Sequence, residues 1–113
     1  MRIASKMKLM NGFEAEYKKR HDEIWPEVKA LLKETGITGY SIFLDEQTNE
    51  LFAYFTIEDD KKLNELPGQQ IMKKWWTYMK DIMETNDDNS PVQIPLKPVF
   101  HLNLMEQPFS RRT

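Results

Sequence analysis

The stretch Ile37-Thr38-Gly39-Tyr40-Ser41-Ile42-Phe43-Leu44-Asp45-Glu46-Gln47-Thr48-Asn49-Glu50-Leu51-Phe52-Ala53-Tyr54-Phe55-Thr56-Ile57-Glu58 decides the fold. Residues 37 to 45 and 50 to 58 are rich in β-branched and aromatic types, and the polar Glu46-Gln47-Thr48-Asn49 between them reads as a hairpin turn. On the first strand Tyr40, Ile42 and Leu44 share one face, with Ser41 and Phe43 opposite. What flanks this hairpin on each side settles the architecture.

Upstream, Ile3, Ser5, Met7 and Leu9 alternate with Arg2, Lys6 and Lys8, so residues 2 to 10 read as a strand with one buried face. Asn11-Gly12 then turns the chain into a helix. Phe13, Tyr17, His21, Ile24, Val28, Leu31 and Leu32 fall on one stripe at helical spacing, while Glu14, Lys18, Lys19, Glu27, Lys29 and Lys33 take the other side. Pro26 lacks an N–H and clashes with the preceding turn, which predicts a break between Asp22 and Trp25. Pro26 then opens a second helical segment that Gly36 ends.

Downstream, Asp59-Asp60 resembles a helix start, Pro67-Gly68 interrupts it, and a stronger helix is predicted from about Gln69 to Met83. Its apolar side carries Met72, Trp75 or Trp76, Met79, Ile82 and Met83. Residues 84 to 98 are polar and contain proline, the character of a long loop. Val99-Phe100-His101-Leu102 reads as a short last strand, and residues 105 to 113 as a polar tail behind a single domain over 1 to 104. The order β-α-β-β-α-β is the split βαβ, ferredoxin-like arrangement of an α+β protein. Its helices cover one face of an antiparallel sheet. Pairing of the other face with a second copy, giving a homodimeric α/β barrel, is the simplest way to bury it.

Composition narrows the partners. With 40% hydrophobic and 30% charged residues the chain reads as an ordinary soluble globular domain. Its formal net charge is -2, and the sixteen basic residues are interspersed with acidic ones, so nucleic acid and anionic membrane are poor candidates. There is no cysteine, which excludes disulfides and thiolate chemistry. The first residues lack the apolar core of a signal peptide, and no apolar run is long enough to span a bilayer. A cytoplasmic location is expected by default.

His21 and Tyr17 are one helical turn apart on the apolar side, so a phenolic oxygen and the imidazole nitrogens can converge on one pocket. A histidine on such a stripe is commonly a satisfied structural residue, but Tyr17 and nearby Trp25 give it the aromatic, hydrogen-bonding lining that suits a small polar ligand. His101 keeps the structural reading. Adjacent helical residues point about 100° apart, so Trp75 and Trp76 cannot fill the same core site. One packs inside, and the other lines an opening where an indole can stack on the apolar face of a pyranose. Asp87-Asp88-Asn89-Ser90-Pro91 reads as a capped surface turn whose polar side chains would also suit a loop closing over hydroxyls. Charged runs such as Lys18-Lys19-Arg20 read as solvated faces. No P-loop, dinucleotide fingerprint, zinc-ligand pair or nucleophile elbow occurs, so a cofactor-free acid–base reaction, or no reaction, is expected.

Tyr17-x-x-Arg20-His21-x-x-Ile24-Trp25-Pro26-Glu27, Tyr40, Trp75-Trp76-x-Tyr78-Met79, Asp88-Asn89-Ser90-Pro91 and Val99-Phe100-His101-Leu102 together resemble the L-rhamnose mutarotase family, over about residues 2 to 103. The resemblance implies a dimeric barrel of ferredoxin-like protomers that interconverts the anomers of L-rhamnose, without metal or cofactor. It further implies that His21 transfers the proton and that Tyr17, Tyr40, Trp75 and Trp76 contact the sugar. Glu23 and Asp87 stand where the family usually has proline, departures that touch loop shape more than chemistry. Mutarotation removes a proton from the anomeric hydroxyl and delivers one to the ring oxygen, and a group titrating near neutrality serves both directions. The second proton-transfer partner is left open among a tyrosine hydroxyl, a carboxylate and water. Two other classes are compatible with the residues: a non-catalytic sugar-binding module and a dimeric-barrel oxygenase-like enzyme.

Overall fold

The computed structural model describes residues 1–104, so the tail expected over 105 to 113 lies outside the described residues. In chain order the elements are β1 (Arg2–Lys8), α1 (Glu14–Asp22), α2 (Pro26–Glu34), β2 (Ile37–Asp45) and β3 (Glu50–Ile57). A 3-10 helix (Asp60–Gly68), α3 (Gln70–Met79) and β4 (Ile94–Leu96) follow. The strands form one antiparallel sheet in the order β2-β3-β1-β4. β1 and β2 are therefore separated by β3, the connectivity of a split βαβ unit.

The central hairpin forms as its sequence indicates. Asn49 adopts a left-handed φ of 63° to close the turn, and its N–H donates to the Asp45 carbonyl at 2.8 Å. Register then sorts side chains by face. Leu44, Leu51 and Met7 form one row across three strands, and Ile42, Ala53 and Ser5 the next. Leu51, Ala53, Met7 and Ser5 are buried on this side, where Val28, Met72, Trp75 and Met79 from the helices join them in the core. On the opposite face lie Phe43, Phe52, Lys6 and Ile94 in one row and Ser41, Tyr54, Ala4 and Leu96 in another. Among the described residues no helix lies over that face, and Phe43 is 67% exposed.

The helical region breaks where Pro26 requires it. α1 stops at Asp22, and Pro26 occupies the first turn of α2, where its missing N–H costs no intrahelical bond. Gly36, at φ 100°, ends the second segment in a conformation that a Cβ would penalise. Phe13 departs from the expected stripe: it is the N-cap of α1, outside the helix proper, and is 40% exposed.

Three features differ from the sequence reading: the type of one helix, the end of another and the place of the last strand. The Asp59-Asp60 helix start opens a 3-10 helix, with the Asp59 carboxylate accepting from the Lys61 N–H at 3.0 Å. α3 ends at Met79 instead of Met83, because the backbone at Ile82 and Met83 pairs with the end of the first strand. The Met10 N–H donates to the Ile82 carbonyl at 2.9 Å, and Leu9 bridges Met83. Both side chains stay buried in the core.

The last strand also lies elsewhere. β4 is Ile94–Leu96, inside the segment expected to be loop, and Val99 to Leu102 form no strand. Pro95 pairs opposite Ser5 at the sheet edge, where a residue without an N–H is tolerated. β4 takes the edge of β1, and Val99 and Phe100 stand 89% and 81% exposed.

Candidate active site

Tyr17 and His21 sit one turn apart on α1, with His21 in its last turn just before the break. Their rings stack at a centroid distance of 4.2 Å and an interplanar angle of 26°. Tyr17 is buried, and His21 is half-buried. The indole of Trp75, buried on α3, meets the imidazole edge-on at 5.5 Å. Trp25, the N-cap residue of α2, meets Trp75 edge-on at 5.1 Å and Tyr78 at 5.3 Å. Two helices separated by the proline break and a third across from them thus build one aromatic wall around the imidazole.

Hydrogen bonding fixes the state of His21. Its Nδ1 lies 3.1 Å from the Tyr17 carbonyl, and a carbonyl only accepts, so Nδ1 carries the hydrogen and Nε2 holds the lone pair. Burial lowers the imidazole pKa below its ordinary 6.5, outweighing the upward pulls of the Tyr17 carbonyl and of Asp22. At neutral pH the ring is a neutral base with its lone pair on Nε2.

The phenols are shifted the other way. Burial, and secondarily the proximity of Tyr40, pushes the Tyr17 hydroxyl well above the usual tyrosine range. Tyr40 reaches the same region from β2, its ring stacked on Phe55 at 5.3 Å and 7°. As a residue Tyr40 is 46% exposed, and desolvation raises the pKa of its hydroxyl. Both hydroxyls are therefore proton donors at neutral pH. Trp76 is half-buried against the core, about 100° around α3 from Trp75. Of the tryptophan pair, Trp75 is the one that fills the core and also meets His21.

The polar loop engages mainly itself. Asn86 Nδ2 donates to Ser90 Oγ at 3.1 Å, the Ser90 N–H donates to Asp88 Oδ1 at 3.0 Å, and Asn89 Nδ2 reaches Thr77 Oγ1 on α3 at 3.4 Å. Thr85, Asn86, Asp87, Asp88 and Ser90 line an open depression of about 580 Å³, separate from the His21 contacts described above.

Arg20 corrects the reading of Lys18-Lys19-Arg20 as a solvated face. Lys18 does lie in solvent, paired with Asp22 at 2.7 Å, but the Arg20 side chain is only 11% exposed. Its guanidinium joins Glu16, the Tyr78 carbonyl and Asp81. Both partners lie far from Arg20 in the chain, Tyr78 in the last turn of α3 and Asp81 just beyond its end.

Stability should report the buried imidazole directly. Unfolded His21 titrates near 6.5 and the folded ring binds protons more weakly, so between the folded value and 6.5 the unfolded state holds more protons. Folding stability therefore falls as pH drops through that window and is fully present above it. Thermal melts from pH 7.5 to 5 are expected to show a smaller loss for His21→Asn than for the wild type.

The fold and this group of side chains define a small α+β protein with an imidazole and a phenol set among aromatic rings. The family model for L-rhamnose mutarotase matches residues 2–102, and the chain belongs to that family. It is 55% identical to the L-rhamnose mutarotase of Brucella anthropi over 101 residues, spanning 89% of this chain and 95% of the relative. It is 52% identical to that of Lachnoclostridium phytofermentans over 103 residues, 91% of this chain and 99% of the relative. The crystal structure of L-rhamnose mutarotase from Formosa agariphila superposes with a TM-score of 0.85 at 51% identity, over 91% of this chain and 99% of that one. Among the described residues no group of three or more His, Cys, Asp or Glu side chains is placed to hold a metal ion, and no helix is long and apolar enough to cross a membrane.

Proposed function

We propose that this chain is an isomerase that interconverts the α and β anomers of L-rhamnose, with His21 as the proton-transferring residue and Tyr17, Tyr40, Trp75 and Trp76 holding the sugar. One observation carries the chemistry: the Nδ1 contact to the Tyr17 carbonyl leaves Nε2 as a neutral base beside protonated phenols. Nε2 takes the proton of the anomeric hydroxyl as the bond between C1 and the ring oxygen breaks. The ring oxygen gains a proton from a second donor, a tyrosine hydroxyl, a carboxylic acid or water, which recovers it when the aldehyde has rotated and the reverse steps close the ring on either face. The net reaction is balanced, because each proton taken is returned. A buried histidine suits both directions, since its conjugate acid is readily discharged at neutral pH. In this reading the Tyr17 and Tyr40 hydroxyls donate to sugar oxygens, and the indoles supply an apolar surface. Family membership supports L-rhamnose as the substrate, and nothing in the chemistry of the pocket calls for a metal or cofactor.

The protein acts in this proposal as a cytoplasmic homodimer. Phe43, Phe52, Ile94, Tyr54 and Leu96 give the helix-free sheet face an apolar surface, and a patch of that kind marks an association site. A second copy packed face to face on it would complete a dimeric α/β barrel.

Polarimetry on freshly dissolved single anomers of a panel of aldoses tests the substrate. L-Rhamnose is expected to reach its equilibrium rotation faster with catalytic amounts of protein than in buffer. Equal rates with and without protein for every sugar would reject the reading and favour a sugar-binding module.

A further inference from the structure

We infer that Arg20 is a positioning residue for the proposed mutarotase reaction: by clamping the last turn of α1 to the end of α3, it sets where the His21 imidazole stands relative to Trp75. The inference rests on the proposed function for its kinetic meaning and on geometry for the rest. Arg20 precedes His21 in the chain, so whatever fixes one backbone position fixes the other. Its Nε donates to Glu16 Oε2 at 2.8 Å on its own helix. Its Nη1 and Nη2 fork onto Asp81 at 2.8 and 3.2 Å, and Nη1 also donates to the Tyr78 carbonyl at 2.7 Å. That carbonyl lies in the last turn of α3, where helical acceptors lack intrahelical donors and a positive charge is favoured.

The guanidinium further lies over the Tyr78 ring, 4.5 Å from its centroid. Tyr78 packs on Trp75 at 5.6 Å and on Trp25 at 5.3 Å, and Trp75 meets His21 at 5.5 Å. A continuous set of contacts thus runs from the guanidinium through three aromatic rings back to the imidazole. A lysine cannot reproduce it, because an ammonium neither forks onto a carboxylate nor presents a flat cation to a ring in the same way. Misplacing a catalytic group by about 1 Å can cost about a hundredfold in rate, which is far more than the ion pair adds to stability at a largely solvated carboxylate such as Asp81. The expected signature is therefore kinetic.

The test compares Arg20→Met, Arg20→Lys, Asp81→Ala and the Arg20→Met/Asp81→Ala pair. Three quantities are measured: L-rhamnose anomer exchange, thermal melting, and the NMR shifts of the His21 ring protons, which ring currents from Tyr17 and Trp75 displace. Arg20→Met should lose roughly 10- to 100-fold in kcat with KM changed less than about threefold. Arg20→Lys should recover part of the loss, Asp81→Ala should lose less than Arg20→Met, and the double variant should be no slower than Arg20→Met, since both remove one contact. The His21 shifts should move in every slowed variant. Wild-type kcat per folded molecule and unmoved His21 shifts in Arg20→Met would overturn the inference, leaving Arg20 a stabilising residue only. Should Arg20→Met fail to fold, Asp81→Ala carries the same two outcomes. A wild type that does not accelerate exchange would reject the mutarotase reading instead, and the His21 shifts would still decide whether Arg20 positions the ring.

Discussion

His21→Ala is expected to fold and assemble like the wild type while exchanging L-rhamnose anomers roughly 10²- to 10⁴-fold more slowly, the usual worth of one positioned acid–base group. The imidazole is half-buried, and among the described residues its one hydrogen bond is from Nδ1 to the carbonyl of its own helix, so its removal leaves no distant partner there unsatisfied. His21→Asn should be nearly as slow, because it can keep that hydrogen bond but cannot titrate. Tyr17→Phe should fall between these variants and the wild type, since it deletes one hydroxyl and keeps the stacked ring. Exchange measured by NMR beside thermal melts separates catalysis from folding. Normal exchange per folded His21→Ala molecule would remove His21 from the mechanism.

The second large effect is expected at the helix-free sheet face. Phe43→Glu should convert a dimer at micromolar concentration into a monomer of nearly unchanged secondary structure. Phe43 is 67% exposed in the protomer, so a carboxylate there is harmless to the isolated fold. In a face-to-face dimer the same carboxylate is buried without a partner, at a penalty of several kcal/mol that raises Kd at least about a hundredfold. Sedimentation of both proteins across a concentration series measures this. A wild type that is monomeric at micromolar concentration, or a variant as dimeric as the wild type, would contradict the dimeric barrel.

Legibility in the sequence followed how local each signal was. The hairpin, the break at Pro26 and the stop at Gly36 depend on residues next to one another, and they lie where alternation, a missing N–H and a left-handed φ require. β4 depends on a choice among distant partners. Ile94-Pro95-Leu96 takes the edge of β1 despite its proline, and the more strand-like Val99-Phe100-His101-Leu102 does not. Nothing within either segment reveals which one finds the edge.

The site divides in the same way. Tyr17 and His21 share a helix, so helical spacing alone puts them in stacking contact. Tyr40 entered through family resemblance, and its nearness to Tyr17 depends on how β2 sits against α1. Arg20 was hidden because a basic run on a helix surface normally faces water, and its partners Tyr78 and Asp81 are about sixty positions away. The distinction between Trp75 and Trp76 likewise follows from how α3 is rotated against the sheet, which periodicity leaves open by one position.

The central claim, a neutral His21 base opening and closing the sugar ring, is tested most directly by saturation transfer on equilibrated L-rhamnose. The anomeric proton of one form is saturated and the other is observed at neutral pH, with wild type and with His21→Asn at equal concentration. Transfer well above the buffer rate with the wild type, and near it with His21→Asn, is the predicted result. L-Rhamnose that binds the wild type with no transfer above buffer would contradict the account.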